Sequence, residues 1–526
     1  MKVDYYGNGK IFTGQDESTF VSAIGVSQGR IAWTGDTSEI EGEYTDLGGK
    51  TVLPGFIDSH IHPVYVASVQ NQVACMPPFV YSIEDMVEEL KKAVDDTDPD
   101  SWVDGWGFDE SKLAEGRTPT REDLDRVSTV HPVQIMRSCF HARVLNSRAL
   151  EIAKIDRDTP DIPEGIIQRD EDGEPTGALY EAAHWHVEKF RSPVTHEDRI
   201  RSIAGLTHRF ASLGITGVTE VMGMPYDYEM YMDAKRAGFR QRIAIYNKFS
   251  DYRSSGRDEI KKTSDPDETV RFTGVKYFLD GSISGHTAFM KDPYPGTEDR
   301  GYPIGSREEL DEIYEYAKDR SLQIIIHAMG DSAIQLIIDY FKDKPEWIEG
   351  APSVRIEHCS ILSDDMIDEM AEAGIGATMN IDFMYAEYDS WRKNLDDRRF
   401  AMATRIKSAY NKIEHLALAS DSPATLWAVP EDVFMSLKAA VTRKAHGGQD
   451  INQDESISVE QAVLLYTKRA AAVCNFSSVG QLKPGYHADF IVLDKDIFSI
   501  SPEDIDKVSV DETFIGGEKI YKRENQ

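Results

Sequence analysis

Five residues of this chain have the types and positions of a metal-binding set. His60 and His62 close the run VLPGFIDSHIH, which reads as a strand. On a strand, residues i and i+2 share a face, so both imidazoles project from its C-terminal end. His327 ends QIIIH, His358 ends SVRIEH and Asp421 ends HLALASD. Each is a polar residue at the tip of a run that should be buried, where a polar group is costly without a partner. An HxH pair alone is a weak signal, because two ordinary loop histidines give the same pattern. Four imidazoles and a carboxylate gathered on one rim compose a site for one or two divalent ions. That donor set suits zinc, with iron, manganese or nickel as other candidates. The competing reading has each His singly packed or hydrogen-bonded.

Lys276 adds a second question. In GVKYFLDG it shares strand parity with Phe278 and Asp280. A lysine on a strand covered on both faces needs a partner. One answer is an ion pair with Asp280. The other is a reaction of the amine with CO₂, giving a carbamate that bridges two metals.

Other motifs do not hold. GNGKIFTG lacks the GxGxxG spacing, GGKT has Tyr44 where a phosphate loop requires its first Gly, and GSISG centres on Ile283 where a nucleophile elbow needs Ser. His184 and His186 form a second HxH, but EAAHWHVEKF reads as a helix, on which i and i+2 point apart.

The elements around these residues are a series of short apolar runs: TVLPGFIDSH, GITGVTE, RQRIAIYNKF, TGVKYFLDG, SLQIIIHAMGD, SVRIEHCS, AGIGATMN and EHLALASDSP. Most are separated by helical stretches such as IRSIAGLTHRFASLG. Strands alternating with helices predict βαβ units and a parallel sheet, and eight of them fit a (β/α)₈ barrel, with a doubly wound sheet as the alternative. Barrel active sites lie at the C-terminal ends of the strands, where the His and Asp residues fall. AIGVSQGRIAWTGD near the start, and HADFIVLDKDIF and ETFIGGEKIYK near the finish, alternate as hairpins do. They predict one small β-sandwich from residues 1–50 and 480–526. The barrel is then 51–70 and 200–479. The long interval between its first two strands predicts an inserted α+β cap subdomain over 71–199, placed over the barrel mouth.

Composition narrows the partners. Lys and Arg number 58 against 91 Asp and Glu, a formal net charge of −33. Such a surface repels phosphate backbones and anionic membranes, so a small-molecule substrate is expected rather than nucleic acid or a membrane. No run approaches the ~18–20 apolar residues of a membrane helix. Cys75, Cys139, Cys359 and Cys474 are far apart with no CxxC pair. They read as reduced thiols in a cytoplasmic protein. The sequence leaves room for a homodimer.

The set PGFIDSHIHP, a strand Lys, two strand His and ASDSP resembles the amidohydrolase superfamily. More narrowly it resembles the YtcJ-like branch, which includes N-substituted formamide deformylases. GWGFDESKLAEGRTPTREDLDRV, HARVLNSRAL, EGIIQRDEDGEPTGALYEAA, KYFLDGSISGHTA, HAMGDSAI, AVTRKAHGG, YTKRAA and VGQLKPGYHADFIVLD extend the resemblance over nearly the whole chain. It implies a (β/α)₈ barrel with a terminal β-sandwich. It also implies His60, His62, His327 and His358 as metal ligands, Asp421 as ligand and general acid/base, and Lys276 as the carboxylated lysine of the fourth strand. The activity implied is metal-dependent hydrolysis of a C–N bond of amide type. Ester, lactone or cyclic-imide hydrolysis at the same site is one alternative, and a regulatory protein on a degenerate scaffold is another. Cys139-Phe140 departs from the small or polar residues of many relatives, which bears on pocket shape. Three further residues are candidates for substrate binding: His141, equally readable as a packing His; Arg137, equally readable as half of a structural ion pair; and Asp331, which a helix N-cap would also explain.

Overall fold

The computed structural model describes residues 2–98, 101–138, 141–223, 227–254, 263, 265 and 267–524. The chain divides into two compact units. The first comprises Met1–Val64, Ile200–Thr425 and Pro430–Gln526, and the second Tyr65–Arg199 with Leu426–Val429.

The first unit is built on eight parallel strands: β1 (Phe56–Ile61), β2 (Ile215–Gly223), β3 (Arg242–Lys248), β4 (Val270–Phe278), β5 (Gln323–Ala328), β6 (Val354–His358), β7 (Gly376–Met379) and β8 (Leu416–Leu418). They pair in chain order in one sheet. β5 illustrates why these runs are strands: Ile324, Ile325 and Ile326 are fully buried, as a sheet covered on both faces demands. The sheet curls so that β8 returns to β1. Ser59 Oγ donates to Leu418 O at 3.0 Å, Asp421 N to His60 O at 2.8 Å and His62 N to Ser422 O at 2.9 Å. The protein is thus an α/β barrel. Its helices carry local start signals. Before Arg307–Asp319, Ser306 accepts from Glu309 N, Glu309 accepts in return from Ser306 N, and Leu310, Ile313, Tyr314 and Ala317 form the buried stripe.

Both chain ends build two further sheets on this unit. Thr51–Pro54 lies between Phe490–Leu493 and Lys10–Phe12 in a six-stranded sheet, and Asp4–Gly7 is in a four-stranded one. Ile24 and Val26 of the second sheet share one core with Val52, Phe490 and Phe514 of the first. The run TVLPGFIDSH is therefore two strands, not one. It breaks at Pro54-Gly55, where Gly55 N turns to Asp489 O and the chain passes from the terminal sheet into β1.

The second unit is a six-stranded mixed sheet running from Gly165–Arg169 at one edge to Val73–Ala74 at the other. The helix Ile83–Val94 buries Ile83, Met86, Val87 and Leu90 in its core. No described helix is long and apolar enough to cross a membrane.

Candidate metal centre

The barrel brings the strand-tip residues together. His60 Nε2 lies 3.2 Å and His62 Nε2 2.9 Å from the same oxygen, Asp421 Oδ1. The rings of His60 and His358 are 4.6 Å apart, and those of His327 and His358 4.5 Å. One ligand atom each from His60, His358 and Asp421 falls within 4.8 Å of the others. His358 and Asp421 hold left-handed backbone conformations, φ 66° and 52°, which non-glycine residues rarely adopt. Their surroundings over-determine them. Ser420 Oγ donates to Asp58 at 2.5 Å and Ser422 Oγ to Glu431 at 2.7 Å, so Asp421 is pinned from both sides.

Hydrogen bonds behind the rings fix which nitrogen faces inward. His60 Nδ1 donates to the buried Glu357 carboxylate. His358 Nδ1 donates to Asn380 Oδ1 at 2.9 Å, and the Asn380 amide is set by its own bond to Ala419 O. His327 Nε2 donates to Gly281 O at 3.1 Å. Each leaves the other ring nitrogen as a lone-pair donor, the arrangement of metal-ligating imidazoles. For His60 the consequence is direct. With Nδ1–H donated to Glu357, a neutral ring sets Nε2 against Asp421 Oδ1, acceptor facing acceptor, a contact that a bound metal ion or a second proton on the ring relieves. A tetrahedral ion with bonds of about 2.0–2.1 Å needs donors about 3.3 Å apart, close to the spacing found. The residues present therefore fit a divalent ion.

Burial would raise the Asp421 carboxyl, but the imidazoles of His60 and His62 against its oxygen outweigh it and hold the group well below the ordinary carboxylate range. Burial likewise keeps His358 well below the usual imidazole value and, with the Lys276 ammonium, brings His327 down to about 3. Both are neutral, as ligands must be. Burial pulls Lys276 down to about 8 against the pull of Glu357 and Asp421.

Lys276 and Asp280 do not pair. Asp280 is enclosed by three backbone donors, Phe289 N, Met329 N and Gly330 N, at 2.8–3.0 Å. Among the described residues, Lys276 makes no hydrogen bond or ion pair, and its ammonium lies 4.9 Å from the centroid of the Phe278 ring. Asp331 stands at the first position of its helix, with Gly330 as N-cap. Its carboxylate accepts from Lys291 N at 2.7 Å and Ser332 N at 3.0 Å. Arg137 and His141 belong to the second unit. There Arg137 pairs with Glu110 and Asp109, and the exposed His141 with Glu181. Cys139-Phe140 lies outside the described residues. His184 of the helical HxH is buried and accepts from Arg143 Nε at 2.9 Å. Sequence reasoning passed over Glu357, Arg355, Asn380 and Glu220. The last is a buried acid on β2 that accepts from Tyr231 Oη at 2.8 Å. The signal for the first two was present: charges at i and i+2 of a strand that should be buried on both faces.

Comparisons with known proteins agree with this geometry. Residues 43–521 match the model of the amidohydrolase family. The chain is 27% identical to YtcJ of Bacillus subtilis (strain 168), a protein named as an amidohydrolase, over 99% of this chain and 100% of that one. It is also 27% identical to an N-substituted formamide deformylase of Arthrobacter pascens, over 98% of each. A crystal structure of a metal-dependent hydrolase from Pyrococcus horikoshii OT3 superposes with a TM-score of 0.75 at 26% identity, covering 95% of this chain and 99% of that one. The chain belongs to the amidohydrolase family and has the fold and donor set of a metal-dependent hydrolase.

Proposed function

We propose that this protein hydrolyses a C–N bond of amide type, with N-substituted formamides as the first class to test. The centre would hold one or two divalent ions, zinc being best suited to four imidazoles and a carboxylate. The observation that carries the reading is the convergence of His60 Nε2 and His62 Nε2 on one oxygen of Asp421. The formamide deformylase relative, aligned over nearly its full length, supports the bond type. When bound, a divalent ion supplies Lewis acidity, lowering the pKa of water to about 7 and polarising a carbonyl. His60, His62, His327 and His358 would hold it, the free ring nitrogens of His60, His327 and His358 being aimed by the bonds described above. Asp421, ionised at neutral pH, takes a proton from the attacking water. It then delivers that proton to the leaving nitrogen, so that the amine departs neutral.

Lys276 completes the reading. Its buried amine, lowered to about 8, has a free-base fraction near neutrality. That amine can add CO₂ and lose a proton to become a carbamate, replacing a buried cation by an anion able to bridge two ions.

The experiment is metal analysis together with turnover of N-substituted formamides, simple amides, esters and lactones. About one or two ions per chain, amide turnover lost on chelation and restored by zinc, and a CO₂ adduct on Lys276 in bicarbonate are expected. Ester or lactone turnover with no amide turnover would overturn the bond assignment. Full metal content in a His60→Ala, His62→Ala double variant would overturn the site.

A further inference from the structure

Beneath the centre lies a buried charged layer that the proposed reaction does not use. Arg355 and Glu357 of β6 are both fully buried, and strand alternation puts them on one face. One Glu357 oxygen accepts from His60 Nδ1, and the other accepts from Arg355 Nε at 2.5 Å. Arg355 is fixed by its remaining nitrogens. Nη2 donates to Ser59 O at 2.8 Å, one residue before His60, and Nη1 reaches Val473 O at 3.3 Å. Its guanidinium lies 4.9 Å from the centroid of the Tyr246 ring. A carboxylate at this depth is costly unless every direction is partnered. Here its oxygens serve one arginine and one imidazole. His358 and His327 are held from behind by neutral oxygens, of Asn380 and Gly281, whereas His60 is held by an anion.

We propose that Glu357 is a positioning residue for the metal centre. Locked by Arg355, it keeps His60 in the Nδ1–H form with Nε2 beside Asp421, and so sets the affinity of the centre for a divalent ion. The inference rests on His60 being a metal ligand. A carboxylate behind an imidazole makes the ring a stronger donor and removes its freedom to turn or flip.

Two variants test it. Glu357→Gln keeps the shape and can still accept from His60 but loses the charge; Glu357→Asp keeps the charge but shortens the reach. Zinc affinity is read with a competing chelator, and ligand geometry from the visible absorption of the cobalt(II)-loaded protein. Glu357→Gln should weaken zinc binding by about 10–100-fold and change the cobalt spectrum. In a His60→Ala background the same change should have little further effect, because the two residues act as one unit. A purely structural Arg355–Glu357 pair gives the opposite result. The metal-free protein then melts earlier while zinc affinity and cobalt spectrum stay at wild type, which overturns the proposal. Failure of both variants to fold also overturns it, assigning the pair to folding. Wild-type affinity in Glu357→Gln alongside lost affinity in His60→Ala removes this inference and leaves the metal site standing. Undiminished affinity in His60→Ala removes both.

Discussion

Asp421 combines a rare backbone conformation, two imidazoles on one oxygen and a carboxyl held far below its ordinary range. Such a group can be a metal ligand, a base, or both, and Asp421→Asn separates the roles. The amide keeps one ligating oxygen but cannot accept the proton. Activity should fall by about 10²–10⁴-fold while metal content changes much less. A variant with its metal and near wild-type kcat would show that another group moves the proton. At this scale the sequence was legible wherever chemistry is displayed at a strand tip. His60, His62, His327, His358 and Asp421 all stand out as polar residues closing apolar runs, and the barrel gathers them. What was not legible is what holds them. Glu357 precedes a conspicuous His and reads as its flank. Its partner, His60, is 297 positions away, and no local pattern encodes that bond. Of the two readings of Lys276, the pair with Asp280 is absent for a related reason: Asp280 is claimed by backbone donors, Phe289 N nine residues on and Met329 N and Gly330 N beyond the next strand.

Elements decide what a motif means, as the two HxH pairs show. At the end of β1 the histidines share the rim, His60 within the strand and His62 one residue beyond it. On the helix Ala182–His186 they part, and His184 turns into the second unit, where Arg143 Nε donates to its Nδ1. Burial, with the Arg143 guanidinium, lowers His184 to about 4. The sign of its effect on stability follows. The unfolded imidazole, near 6.5, takes up protons between pH 6.5 and 4 that the folded one refuses. Stability contributed by neutral His184 is therefore full above pH 6.5 and lost as pH falls towards 4. His184→Gln, whose carbonyl can still accept from Arg143, should flatten this dependence. The protection factors of the amides in the strands Val133–Arg137 and Ala142–Leu145, which correct for the slower intrinsic exchange in acid, should fall less on acidification in the variant than in wild type. An equal fall in both would assign the acid sensitivity elsewhere. Helix and strand types were readable here because their periods differ. The division of TVLPGFIDSH was not, since its apolar run is continuous. The break at Pro54-Gly55 is imposed by pairing of Val52 with Val492, 440 residues on.

The same long-range pairing ties the chain ends to the barrel, and its stability should show it. Arg242 opens β3 at the N-terminal end of the barrel, and Asp489 directly precedes the terminal strand Phe490–Leu493. The two form a bidentate pair, at 2.6 and 3.2 Å, with side chains only 7% and 3% exposed, and Asp489 also accepts from Gly516 N at 2.7 Å. Removing one member of such a pair strands the other charge away from water, a loss of about 3–5 kcal/mol. Replacing both with apolar residues removes the stranded charge. Arg242→Met should therefore destabilise the protein strongly in urea unfolding, and Arg242→Met with Asp489→Leu should recover much of the loss. Because Arg242 lies at the end of its strand remote from His60 and Asp421, the folded single variant should keep its metal content and its kcat. If barrel and terminal sheets unfold as one body, fluorescence of Trp33, in the terminal sheets, and of Trp391, which follows β7, should report coincident transitions in both variants. Separate transitions, or a double variant no more stable than the single one, would mean that the terminal sheets fold independently and that this ion pair does not couple them to the barrel.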